Sequence, residues 1–201
     1  LLPMLDEISR MIDLDLSTLD AIAVAAGPGS FTGLRIGSAT AKGLGLALDK
    51  PLISVPTVDA LAYNLYGTDK LVCPIMDARR NQVYTGIYEF NDRALTVLKP
   101  QMAISVEELA VLLNELKREV LFLGDGVPVY QECIDRLVNT PHHYAPAHLN
   151  KQRASAVAVL AEHYYEQGKT EAARDHQPDY LRLSQPERER AEAQKRETGT
   201  C

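Results

Sequence analysis

The sequence predicts an α/β protein, and three observations carry that expectation. Short apolar runs at 21–25, 52–55, 71–76 and 120–123 have the length of buried strands. Helix-length segments with apolar stripes stand between them. A glycine turn, Gly27-Pro28-Gly29-Ser30-Phe31-Thr32-Gly33, joins the first run to a long segment without proline. A strand, a glycine turn and a helix in this order either aim backbone N–H groups at an anion or pack a helix closely on a sheet.

The elements follow in chain order. Leu1, Leu5, Ile8 and Ile12 recur at helical spacing, with Leu2, Met4 and Met11 widening the stripe. The first strand is 21–25, and a helix runs from Thr32 to Leu48. A second strand, 52–55, leads to a helix capped by Thr57 and ending near Tyr66. Gly67-Thr68-Asp69 closes this unit. A second unit opens with the strand 71–76. The turn Asp77-Ala78-Arg79-Arg80-Asn81 and the alternating run 82–90 read as a hairpin, with a third strand at 95–99. Ser105 and Glu108 form a capping box for a helix to about Arg118. A strand at 120–123 precedes the turn Gly124-Asp125-Gly126, a helix at 130–138 and a loop containing Pro141 and Pro146. Ala154 to Gln167 is a helix stopped by Gly168. An extended segment at 178–183 comes last. The expected division is 1–69, 70–183 and a charged, disordered tail at 184–201.

Composition bounds the function. The chain has 201 residues, 46% hydrophobic, enough for one core or two small ones. No apolar run approaches the roughly 20 residues that cross a bilayer, so no membrane role is expected. A net charge of −6 without a Lys/Arg stripe argues against direct gripping of nucleic acid. Cys73, Cys133 and Cys201 are odd in number and widely spaced, which fits reduced thiols in the cytoplasm.

The glycine turn fits none of the common phosphate or nucleophile motifs. Only three residues separate Gly29 from Gly33, and Leu34 stands where a P-loop has Lys. Thr32 takes the place of the third glycine of a dinucleotide fingerprint. Ser30 has Pro28 and Thr32 at the positions where a nucleophile elbow has glycines. Ser30 or Thr32 is therefore expected to cap the helix. In that helix Gly33, Gly37, Ala41 and Gly45 recur every four residues and share a face. Such a stripe packs closely on something, either this chain's own sheet or a partner helix. The two readings stand level on sequence alone. Asp77, Arg79 and Asp125 are expected to be turn residues, and no carboxylate pair is placed for acid–base work. His142 and His143 are adjacent in a proline loop with His148, so no metal site is expected.

The segment Gly27–Gly37 resembles the signature of the TsaB (YeaZ) family. Asp77-Ala78-Arg79 with Val83-Tyr84, Gly124-Asp125-Gly126 and Pro178-Asp179-Tyr180-Leu181-Arg182 follow in the same order, so the likeness covers residues 1 to about 182. The resemblance implies the two-lobed fold of actin, hexokinase and Hsp70. It implies a non-catalytic subunit in synthesis of threonylcarbamoyl-adenosine in tRNA, without a cofactor, bound to the catalytic TsaD and joined by TsaE. The tRNA would be reached only through that complex. TsaD's metal-binding His-x-x-x-His pair has no counterpart in this sequence. The partner interface would carry over to Leu1, Leu2, Leu5, Ile8 and Ile12, and to Phe31, Leu34, Arg35, Ser38, Ala39 and Lys42; the small-residue stripe adds Gly37 and Ala41. The same surface would form a homodimer when TsaD is absent. Family members begin with a β-hairpin ahead of the first helix, whereas this sequence starts within that helix, so the first sheet is expected to lack its central strands. The competing expectation is an enzyme of the same fold, a kinase-like ATPase or a metal-dependent peptidase.

Overall fold

A computed structural model describes residues 1–92 and 94–182. The tail expected from 184 onward lies outside the described residues. The element order is α1 (Leu2–Met11), β1 (Ile22–Gly27), α2 (Phe31–Leu48), β2 (Leu52–Pro56), α3 (Thr57–Ala62), β3 (Leu71–Pro74), β4 (Met76–Asp77), β5 (Gln82–Asn91), β6 (Ala94–Ser105), α4 (Val106–Leu116), β7 (Val120–Leu123), α5 (Val127–Leu137), β8 (His142–Tyr144) and α6 (Ala154–Glu166). The mixed α/β class is as the sequence predicts.

Two sheets organise the chain. In the first, β1 and β2 pair in parallel, with Ile22 opposite Leu52 and Ala25 opposite Val55. The helix α2 makes the crossover between them and covers one face, where Ala41 meets Leu52 and Ala173. On the other face Ile53 and Val55 pack against Ala60 of α3 and Leu160 and Ala161 of α6. The edge of β1 away from β2 has no strand beside it among the described residues.

The second sheet has six strands in the order β4-β5-β3-β7-β8, with β6 on β5. The pairs β3–β7 and β7–β8 are parallel, and β5 runs antiparallel to β3, β4 and β6. Leu71, Cys73, Val120 and Phe122 face α4 and α5, where Leu109, Leu113 and Ile134 complete a core. Val72 and Leu123 face α3, meeting Val58 and Leu61. Burial on both faces explains why β3 and β7 read as unbroken apolar runs rather than alternating ones.

Four readings need correction. His142–Tyr144 is a strand, β8, where the sequence suggested only a loop: its backbone completes the ladder on β7, a pairing that does not require an apolar run. The strand at 95–99 extends over Ala94–Ser105 because it pairs along the whole of β5, from Asn91 opposite Ala94 to Gln82 opposite Ser105. The helix placed at 130–138 starts at Val127, with Pro128 in its first turn, where a missing N–H costs nothing. Thr57 does not cap α3. It is the first helical residue, and its hydroxyl is buried without a partner.

Candidate functional site

The glycine turn is a joint, not a reactive centre. Ser30 caps α2, its Oγ accepting from the Gly33 N–H at 3.4 Å. Gly27 is buried at φ +126°, a conformation that L side chains rarely adopt. A Cβ there would collide with the Asp179 carbonyl oxygen. The space is needed because the Asp179 N–H donates to the Ala26 carbonyl at 2.7 Å. Pro28 is buried, while Gly29, Thr32 and Gly33 are exposed or nearly so at the start of α2.

Beyond α6 the chain doubles back as a strap over β2 and α2. Leu52 and Glu171 exchange both backbone hydrogen bonds at 2.9 Å. The Lys42 ammonium donates to the Arg174 and His176 carbonyls at 2.9 and 3.0 Å. His176 is buried, and its Nδ1 lies 2.9 Å from both Ser54 Oγ and Glu171 Oε1. Ser54 also donates to Glu171 at 2.5 Å. Serine, histidine and an acid meet here, but the serine and the acid share one ring nitrogen. A catalytic relay needs them on opposite nitrogens, so this cluster is a fastening.

The helix α2 shows three sides. Ser38, Ala41 and Gly45 point inward. A Cβ on Gly45 would come within 2.7 Å of the Ala173 methyl. The small-residue stripe thus packs, in this part, on the chain's own strap and sheet. Ser38 and Ala41, expected at a partner surface, are 6% and 5% exposed and face the interior. Lys42 is half-buried and held by the strap. Gly37 and the half-buried Leu34 line a groove of about 1060 Å³ bounded by α1, β1, α2 and α6, with Leu5, Ile8, Val24 and Val157 on its other walls.

The third side faces outward. Ile36 is 55% and Leu46 63% exposed, and Ala39 and Gly43 between them are exposed as well. These four positions recur at spacings of three and four, one face of a helix. Ile36 is legible in the sequence as a further apolar contact of this helix, whereas Gly43 and Leu46 lie off the glycine stripe; the 36-39-43-46 spacing is the signal that joins them. No residue of α1 is buried: Leu1, Leu2, Leu5, Ile8 and Ile12 are all exposed. Phe31 is half-buried and Arg35 exposed at the start of α2.

Buried and half-buried titratable groups elsewhere, such as Asp59, Cys73 and Asp77, are tied up in structure. Burial pushes the Asp59 carboxyl above the usual range, against hydrogen bonds from the Tyr88 and Tyr164 hydroxyls. Burial raises the Cys73 thiol to about 12. Asp77 accepts from the Arg79 N–H and the Tyr130 hydroxyl, as a turn residue does. Among the described residues no group of three or more His, Cys, Asp or Glu could hold a metal ion, and no helix is long and apolar enough to cross a membrane.

This fold recurs in known proteins. The model of a protein family described as "TsaD: tRNA N6-adenosine threonylcarbamoyltransferase" matches residues 1–189. The chain is 36% identical over 196 residues to the tRNA threonylcarbamoyladenosine biosynthesis protein TsaB of Bacillus subtilis, spanning 96% of this chain and 83% of that one. YeaZ from Pseudomonas aeruginosa superposes with a TM-score of 0.76 at 29% identity, covering 90% of this chain and 82% of that one. A P. aeruginosa protein described as similar to peptidase YeaZ superposes with a TM-score of 0.77 at 28% identity, with the same coverage. The architecture and the family match together define a TsaD-type α/β protein. Within that class, the chain belongs to the TsaB (YeaZ) family.

Proposed function

We propose that this chain is a non-catalytic subunit of tRNA threonylcarbamoyladenosine biosynthesis that binds and supports a TsaD-type threonylcarbamoyltransferase. The relatives' names supply the pathway. The observation that carries the binding role is the outward side of α2, where Ile36, Ala39, Gly43 and Leu46 leave an apolar helix face in water. Leu5 and Ile8 of α1 are exposed too, on the wall of the groove that Leu34 and Gly37 line. Helices with uncovered apolar faces gain by packing on other helices.

The proposed interface comprises Leu1, Leu2, Leu5, Ile8 and Ile12 of the α1 region, with Phe31, Leu34, Arg35, Gly37 and Ala39 of α2. The outward residues Ile36 and Leu46 join them. A homodimer through the same surface, replaced by a heterodimer when TsaD is present, follows from this reading. So does a complex with TsaE that handles tRNA through its other subunits, in the cytoplasm and without a cofactor of this chain. The two sheets, each flanked by helices, fit the two lobes of the actin-like fold, divided near Gly67–Lys70.

Substituting Ala39→Arg or Ile36→Arg places a charge in the interface and should weaken TsaD binding about a hundredfold or more. Titration calorimetry against the TsaD of the same organism reads this directly. Wild-type affinity in both variants would overturn the assignment. The second reading, an enzyme in its own right, draws on the neighbour described as similar to a peptidase. Peptide or ATP hydrolysis by the isolated chain would favour it.

A further inference from the structure

The segment Pro178–Arg182, with no part in the function above, meets the start of α2. The Tyr180 ring stacks on Phe31, with centroids 4.4 Å apart and planes at 24°. The Arg35 guanidinium carbon lies 4.3 Å from the Phe31 centroid, over the same ring. Arg35 Nε donates to the Tyr180 hydroxyl at 3.4 Å. Two aromatic rings and a cation thus form one cluster, with Tyr180 still 37% exposed.

The cluster is fixed from beneath. The Asp179 N–H donates to the Ala26 carbonyl, the Gln101 amide donates to Asp179 Oδ2 at 2.8 Å, and Arg182 donates to the Ala78 carbonyl. Gly27 gives the Asp179 carbonyl room. An anchor held this way loses little side-chain freedom on binding.

Its charge is unmatched among the described residues. No carboxylate among the described residues pairs with Arg35. Lys42, the other cation of α2, is occupied by the strap carbonyls. Arg35, Ala39 and Leu46 fall at i, i+4 and i+11, so the cation borders the apolar outer stripe. Aromatic rings and arginines are the residue types that dominate interface energetics.

We propose that Tyr180, Phe31 and Arg35 form a preorganised anchor that takes an acidic side chain from the partner helix covering α2. The inference rests on the interface proposed above and adds Tyr180 to it, with the chemistry of the group opposite. A carboxylate reaches the guanidinium edge while its helix lies along Ile36, Ala39 and Leu46.

The test is calorimetry of the full chain with the TsaD protein of the same organism, at low and at high salt. Arg35→Met keeps the stem and removes the charge. It should weaken binding about tenfold at low salt and remove most of the salt dependence. Tyr180→Ala should weaken binding to a similar degree, whereas Tyr180→Phe, which keeps the stack, should stay within about threefold of wild type. Ala39→Arg separates the two readings. If Ala39→Arg binds normally, the interface itself is wrong. If Ala39→Arg abolishes binding while Arg35→Met keeps wild-type affinity and salt dependence, only the anchor is wrong.

Discussion

Gly27 turns β1 toward α2 at φ +126°, against the carbonyl of Asp179. Replacing it with Ala sets a methyl group against backbone and strains φ, at a cost of about 3 kcal/mol. The urea midpoint should fall with the slope unchanged. The reason for this glycine was half legible: the turn could be read, but its contact with Asp179, 152 positions further along, could not. The fastening of Ser54, His176 and Glu171 was invisible for the same reason, since no spacing rule joins positions 54, 171 and 176. Burial works to raise the Glu171 carboxyl, yet hydrogen bonds from Ser54 and His176 and the nearby Lys42 charge leave it below its ordinary value of 4.5. A depressed folded value means the ionised acid stabilises the fold above the ordinary range. That contribution is lost as pH falls through the lower, folded value. Glu171→Gln should therefore cost stability at pH 7 and much less near pH 3, by denaturant titration at both; an equal cost at the two would contradict the linkage.

At the scale of elements, local chemistry was the most readable. The capping box opening α4 is present in full: Ser105 accepts from the Glu108 N–H at 3.2 Å, and Glu108 accepts from the Ser105 N–H at 2.8 Å. Ser105→Ala should cost about 1 kcal/mol, a loss visible in thermal melting. The strand β8 escaped notice because His142, His143 and Tyr144 carry no apolar run, and only the backbone of β7 makes them a strand. The helix α2 shows both outcomes at once. Its length and cap were readable from the sequence. Which of its sides meets the sheet was not, because the chain's own strap supplies Ala173 against Gly45. Since Ile36 is more than half exposed, Ile36→Arg should leave the unfolding free energy of the chain, measured by urea titration at a concentration where it is monomeric, within about 0.5 kcal/mol of wild type. A large loss there would mean the residue is covered within this chain.

For the whole molecule, the two sheets are joined by polar ties as well as by packing. Asp59 of α3 accepts from Tyr88 of β5 at 2.7 Å and from Tyr164 of α6 at 3.2 Å. The strap reaches from Ala26 in β1 of the first sheet to Ala78 just after β4 of the second. These ties brace α2 from behind while its outer side stays apolar in water. A surface of that kind is suited to holding a partner in a fixed orientation. Light scattering coupled to size-exclusion chromatography tests this most directly, on the chain alone and mixed with the TsaD of the same organism. A one-to-one heterodimer that forms with the wild-type chain and fails with Ile36→Arg is the predicted result. Two separate peaks with the wild-type chain, or a complex unaffected by Ile36→Arg, would contradict it.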